Sequence, residues 1–264
     1  MGLIKGIKKK ITNKLNNKTF STYEEALRFC EVRTKGAYES ILLSNYRFKK
    51  TNNYINSGGN LLVAPSVPIL MFAINYYLKK ENSKPPEFID FGGACGETLI
   101  LLSKIFSSEI YKKSWIIESP QMVKESKSWE FVKRIKYSSN LKEIIHNNNI
   151  DIFFTSGCIQ FLKNPYEIIS QVAESNIPIV ALTRNNFSSK KEIRAQMSYL
   201  SENGIGPHLT EYENKAIYYP ITSIKKSRVI DLFLKNGYSI LIGSKKEYKL
   251  KNSSQEDDLI FSKI

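Results

Sequence analysis

The residues best suited to chemistry lie in Phe88-Ile89-Asp90-Phe91-Gly92-Gly93-Ala94-Cys95-Gly96-Glu97-Thr98. An apolar strand runs into a glycine turn and then a helix. Glycine permits a tight turn and lets a ligand come close to the backbone. A dinucleotide turn is built as G-x-G-x-x-G. Setting its last two glycines on Gly93 and Gly96 puts Phe91 where the first belongs. The strand also ends on an acid, Asp90. A pyrophosphate at this strand end would be repelled by that carboxylate, whereas a cationic ligand would be attracted. An ordinary strand-to-helix turn is the plain alternative.

The spacing matches the D/E-x-G-x-G-x-G pattern of S-adenosylmethionine sites at Asp90, Gly92 and Gly96, with Ala94 at the middle glycine. Alanine constrains φ there. This cofactor carries a sulfonium and an ammonium group, and both benefit from Asp90. A second strand, Trp115-Ile116-Ile117-Glu118, ends on an acid 22 residues after Gly96, followed by Ser119. Such an acid can accept hydrogen bonds from both ribose hydroxyls. Nicotinamide enzymes place an acid here too, so Glu118 alone does not discriminate. A third buried strand, Asp151–Thr155, opens into Ser156-Gly157-Cys158. Ligands of open α/β sheets sit beyond the carboxyl ends of the strands, so these three residues are expected to face the same crevice as Gly92–Gly96.

Methyl transfer is an in-line displacement, and much of its rate comes from holding the nucleophile aligned. A hydroxyl nucleophile also needs a base or a metal. His208 is the candidate base, since imidazoles titrate near neutrality. It sits in Gly204-Ile205-Gly206-Pro207-His208, where a substrate lid belongs. Arg184 follows a strand and could hold a phosphate or carboxylate. Tyr218 and Tyr219 could line the acceptor pocket. His146 reads as a surface turn residue. Asn164-Pro165-Tyr166 resembles part of the N-P-P-Y signature of nucleic-acid amine methylation, but it lies ten residues past Phe154 rather than directly after the strand. Asn164 as a helix cap with Pro165 at the first helical position explains it better.

The elements that must position these residues follow from periodicity. From residue 87, short apolar runs (Phe88–Phe91, Trp115–Glu118, Asp151–Thr155, Pro178–Thr183) alternate with helical patterns (Thr98–Phe106, Gln121–Lys133, Pro165–Glu174), as in a parallel sheet with crossover helices. Ile224–Asn236 reads as a helix. Tyr238–Ile242 and Leu259–Ile264 read as last strands that could end the sheet antiparallel. Residues 184–222 are polar, Tyr-rich and loop-like. Upstream, 21–48 read as helical, with Thr22 as cap and Glu24 and Glu25 in the first turn. Residues 49–60 read as a polar loop, and 66–79 as an apolar helix with Ser66 as cap. Pro85 and Pro86 close a linker. Leu3, Ile4, Ile7, Ile11 and Leu15 recur at helical spacing among lysines, so residues 1–18 read as a basic amphipathic arm that could touch an anionic membrane, the alternative being a frayed helix packed on the domain or a disordered arm. The division expected is an arm over 1–18, a helical cap over 19–84 and a cofactor domain over 85–264 with a substrate insertion at 184–222.

Composition narrows the classes. The 264 residues hold 39 Lys+Arg against 25 Asp+Glu, a net charge of +14. With 42% hydrophobic residues a sizeable core can form and global disorder is excluded. Three separated cysteines (Cys30, Cys95, Cys158) and two histidines exclude a disulfide scaffold and a Cys- or His-rich metal centre, so no metal is expected. No run of about 18 apolar residues is present, and the N-terminus lacks the continuous apolar stretch of a secretion signal. Most lysines are scattered, as in the coding bias of AT-rich genomes, so the charge does not by itself mark nucleic acid.

Phe88-Ile89-Asp90-Phe91-Gly92-Gly93, Trp115-Ile116-Ile117-Glu118 and Asp151…Ser156…Gln160-Phe161 together resemble class I S-adenosylmethionine-dependent methyltransferases. More narrowly, with Tyr23-Glu24-Glu25-Ala26-Leu27, Arg184 and Tyr219-Pro220, the chain is similar to a bacterial methyltransferase family associated with lipopolysaccharide and capsule biosynthesis. The resemblance spans roughly residues 20–264. It implies an α/β, Rossmann-like seven-stranded mixed sheet, mostly parallel with the last strand antiparallel, helices on both faces and an N-terminal helical cap. By position, Asp90, Gly92, Gly93, Ala94 and Gly96 would line the methionine end of the cofactor, and Glu118 and Ser119 the ribose end. Ser138 or Ser139 would approach the adenine where the superfamily often has an acid. Ser156, Gly157 and Cys158 would floor the site. His208, Arg184 and Tyr219 would serve the acceptor. The expected reaction is methyl transfer, to oxygen rather than nitrogen, onto a small polar acceptor such as a sugar or phosphorylated precursor of a surface polysaccharide. The expected place is the cytoplasm, at the inner face of the membrane if the arm binds it, with no nucleic-acid partner. An RNA methyltransferase and a non-catalytic module of the same fold are the alternatives.

Overall fold

The computed structural model describes residues 18–34, 40–58, 66–81, 84–105, 110–128, 135–188, 192–243 and 255–264. The arm expected over 1–18 therefore lies outside the described residues, Lys18 excepted. So do Gly59 and Asn60 of the expected loop, Phe106, and residues 129–133 of the helix expected over Gln121–Lys133, whose described part is a short helix, α5 (Pro120–Glu125), and a 3-10 turn over Ser126–Ser128.

Seven strands make one mixed sheet: β2 (Glu87–Phe91), β3 (Lys113–Ile117), β4 (Ile135–Ser138), β5 (Ile152–Ser156), β6 (Ile179–Phe187), β9 (Tyr238–Ile242) and β10 (Gln255–Lys263). Their order is β4-β3-β2-β5-β6-β10-β9. The first five are parallel, and β10 runs antiparallel to both β6 and β9. This is the expected fold class. The apolar runs are buried on both faces, which is why they lack alternation. On one face, α3 (Ser66–Lys80) and α4 (Glu97–Ile105) bury Leu70, Ile74, Leu99 and Leu102 against Phe88, Ile152 and Ile260. On the other, α6 (Leu141–Asn147), α7 (Pro165–Glu174) and α8 (Lys226–Lys235) cover Ile89, Phe153, Val180 and Phe261. The chain order reverses between β2 and β5. β2 leads outward to β3 and β4, and β5 leads the other way to β6, so the carboxyl ends of β2 and β5 flank the crevice where such sheets bind ligands.

Sequence expectations are corrected both upstream and downstream of this core. The helical stretch 21–48 is two helices, α1 (Tyr23–Glu31) and α2 (Ile41–Asn56). Thr22 caps α1 in a reciprocal capping box with Glu25. The expected loop after residue 48 is instead helix as far as Asn56. Its polar residues have a buried side: the Lys50 ammonium donates to the carbonyls of Ser201, Asn203 and Gly204 at 2.7, 3.2 and 3.0 Å. Downstream, the loop expected at 184–222 is corrected. It holds the end of β6 and an antiparallel hairpin of β7 (Ile193–Tyr199) and β8 (Ala216–Thr222), to which β1 (Thr19–Phe20) adds. Ser66 begins α3 as its first helical residue rather than its cap. Asn164 is the cap of α7 by position, with Pro165 at the start, although its side chain bonds no helix N–H. Among the described residues no helix is long and apolar enough to cross a membrane.

Candidate active site

A cleft of about 1010 Å³ opens over the carboxyl ends of the parallel strands. Pockets for single ligands run from roughly 300 to 1,000 Å³, so this one has room for two small molecules side by side. Its floor is the turn after β2. Gly92 has φ +73°, and a Cβ placed on it would lie 2.2 Å from Cys158 Sγ. The two strand-end turns therefore touch only because residue 92 has no side chain. Ala94 holds φ 49°, a left-handed conformation. The middle position of the motif keeps a glycine-like backbone while carrying a methyl group, at a cost of about 1 kcal/mol.

Carboxylates gather under this turn. Asp90 is 2% exposed, and a Cβ on Gly93 would come within 2.5 Å of its Cγ. Burial, and then the charges of Glu97 and Glu118, push the Asp90 carboxyl up to about 8. Glu97 accepts from Cys95 N at 3.0 Å, and burial raises its carboxyl too. Glu118 bridges the two strand ends, accepting from Ala94 N at 3.0 Å and Ser119 N at 2.9 Å. A carboxylate has about four acceptor directions, so two remain. The Cys158 thiol is pushed far up by burial and by Glu118 and Asp90. It forms part of the cleft wall.

The sequence-derived residues divide by position. Gly92, Ala94, Glu118, Ser119, Ser156, Gly157, Cys158, Arg184 and Tyr219 all line the cleft. Asp90, Gly93 and Gly96 lie beneath the lining, Gly96 against Ile116. Ser138 accepts from Asn140 N, and its neighbours Ser139 and Asn140 reach the cleft instead. Tyr218 faces away, with the Arg33 guanidinium 6.0 Å from its ring. His208 is not part of the lining. Its Nδ1 is 2.8 Å from Tyr46 Oη and its Nε2 3.0 Å from the Tyr212 carbonyl. Both ring nitrogens are thus occupied in tying α2 to the loop before β8, and the placement gives a base role no support.

Several lining residues carried no motif. Arg47 enters from α2 with one guanidinium nitrogen 3.1 Å from Asn203 Oδ1. Arg194 and Gln196 come from β7, opposite Ile221 and Tyr219 of β8. The period-2 alternation of β7 could have marked those two; nothing local marks Arg47. Gln160 and Gln171 arrive from the turn after β5 and from α7.

No family model and no curated protein matches the chain. Solved structures of similar fold include an S-adenosylmethionine-dependent methyltransferase from Clostridium acetobutylicum, at 10% identity and TM-score 0.48, covering 82% of this chain and 98% of that one. An amino pentose methyltransferase from Micromonospora echinaspora gives 8% identity and TM-score 0.47 over 81% and 95% of the two chains. Magnesium protoporphyrin IX methyltransferase from Synechocystis gives 12% and 0.45 over 86% and 97%. All three scores lie below 0.5, and the functional reading rests on the cleft itself.

Proposed function

We propose that the chain is an S-adenosylmethionine-dependent methyltransferase acting on a small polar acceptor, with a sugar or phosphorylated precursor of a bacterial surface polysaccharide as the favoured class and oxygen as the favoured acceptor atom. One observation carries the cofactor reading: Asp90, Glu97 and Glu118 converge on a glycine turn at the floor of the cleft, and burial, with repulsion from Glu97 and Glu118 added, raises Asp90 to about 8. A cationic ligand relieves that repulsion, and an anionic one adds to it. The residues fit the cofactor. Gly92 brings bare backbone to the cleft wall, where the methionine end would lie. Glu118 keeps lone pairs for ribose hydroxyls, and the Ser156 hydroxyl is buried with no partner. When bound, the cofactor supplies an electrophilic methyl group on a sulfonium.

The chain's own part is to hold two ligands and move one proton. Tyr219, edge-on to Phe161 at 5.2 Å, walls the acceptor half. Glu167, at the start of α7, lines the cleft and can accept a hydroxyl proton, the role expected of His208. The test is calorimetric titration with S-adenosylmethionine and S-adenosylhomocysteine. One site per chain is expected, and absence of heat with both ligands overturns the reading.

A further inference from the structure

The acceptor half of the cleft has a charge and hydrogen-bonding character opposite to that of its floor. Arg184 and Arg194 both line it. Arg184 is exposed, at the carboxyl end of the parallel run of β6, in a left-handed backbone of φ 55°. A non-glycine residue there costs about 1–3 kcal/mol and persists only where its surroundings hold it. Asp258 holds it, at the register shift of β10 against β6. Its carboxylate accepts from Arg184 N at 3.3 Å and from the Thr183 hydroxyl. The effect is to fold the guanidinium back over the turn after β5, where a Cβ on Gly157 would sit 3.9 Å from Arg184 Cζ. Arg194 stands on β7, beside Gln196 on the cleft face. It forms a loose ion pair with Glu192, 3.9 Å from Nε and too far for a hydrogen bond.

The same cleft is lined by residues with polar atoms that the protein leaves without partners. The amides of Gln160, Gln171 and Asn186 each present a buried atom that makes no hydrogen bond, and all three residues line the cleft. Buried polar atoms are ordinarily paired, so such a group on a cavity wall awaits a ligand able to donate and to accept. A hydroxylated molecule does both. Two guanidinium groups on the wall of one cleft add the requirement for an anion.

We infer that Arg184 and Arg194 form an anion subsite for the acceptor, which is a hydroxylated molecule bearing a phosphate or carboxylate, such as a sugar phosphate or a uronate. This rests on the reading of the cleft as a cofactor-plus-acceptor site and narrows its substrate class. The left-handed Arg184 is then explained as a side chain aimed at the expense of its backbone.

Binding of glucose 1-phosphate, glucuronate and glucose, measured by calorimetry with and without S-adenosylhomocysteine, tests the inference. At least one of the two anionic sugars is expected to bind about tenfold or more tightly than glucose, and the preferred one identifies the anion as phosphate or carboxylate. Arg184→Gln and Arg194→Gln should each weaken that sugar about 10- to 100-fold, as for a lost charge-assisted hydrogen bond, and leave S-adenosylhomocysteine affinity within twofold. Arg184→Gly, which takes the left-handed backbone without strain, should lose the anion equally, so a folding defect cannot mimic the result. Equal binding of glucose and both anionic sugars, no binding of either anion, or unchanged affinity in both variants overturns the inference. Anion binding without S-adenosylhomocysteine binding overturns the cofactor reading and leaves the subsite standing. The reverse result removes the subsite alone.

Discussion

Asp90→Asn separates what the fold wants from what the site needs. Folding raises the Asp90 carboxyl from its ordinary 3.8 to about 8, so the native chain holds a proton that the unfolded chain has released. Stability from this group is full below about pH 3.8 and is lost as pH climbs to about 8. At about 1.4 kcal/mol for each tenfold change in proton affinity, keeping Asp90 at pH 7 costs the fold roughly 4 kcal/mol. Relaxation around the charge makes the measured value smaller, so Asn, neutral and of the same shape, should gain about 2 kcal/mol at pH 7, or about 4–8 °C in Tm. The ligand reads the opposite sign. A cation beside Asp90 favours the ionised form, so binding expels the proton. Affinity for S-adenosylmethionine should therefore rise close to tenfold per pH unit from 6 to 7, flatten near 8, and be lost by about 100-fold in the Asn variant. Calorimetry in two buffers of different ionisation enthalpy counts the proton directly, with close to one released at pH 6.5. Affinity flat across pH 6–8 with no proton release, or an Asn variant that binds normally, would refute the role of Asp90.

Three further substitutions probe the turn and its supports. Ala94→Gly relieves the left-handed strain and should stabilise the fold by about 1 kcal/mol in denaturant unfolding while leaving cofactor affinity unchanged; a destabilised protein would mean the methyl group packs productively. Glu118→Ala removes the partner of Ala94 N and the proposed ribose acceptor, and should weaken S-adenosylhomocysteine about tenfold or more by calorimetry. Wild-type affinity would take Glu118 out of the site. Lys50→Met strips three carbonyls of their donor and should cost roughly 3 kcal/mol, a fall in Tm of about 10 °C by scanning calorimetry. A Tm within 2 °C of wild type would show that water replaces the ammonium.

The parts of this molecule that could be read from its residues are those in which the chemistry and the local pattern coincide. Asp90 and Glu118 end buried strands and are followed by turns whose composition is visible within a few residues. Their neighbourhood, including Ser156–Cys158, follows once the strands are taken as parallel. The hairpin over 193–222 was partly legible, since Ile193, Ala195 and Met197 alternate with Arg194, Gln196 and Ser198. Pro220 argues against a strand in general, but among the described residues β8 pairs with β7 alone and is an edge, where proline is tolerated. The second half of α2 was not legible. Its Lys50 is satisfied by carbonyls about 150 residues away, a long-range contact that no local composition announces. The surroundings of His208 were not legible for a related reason. A histidine in a Gly-Pro loop looks available, yet Tyr46 and the Tyr212 carbonyl reach it from elements far apart in the chain.

The central claim is that this cleft holds S-adenosylmethionine with its cationic end over Asp90. A crystal structure of the chain grown with S-adenosylhomocysteine tests it most directly. The account predicts the amino-acid end of the ligand against Gly92 and Gly93 above Asp90, with the ribose hydroxyls on Glu118. A ligand bound elsewhere, or bound in this cleft with its adenine over the glycine turn, would contradict it.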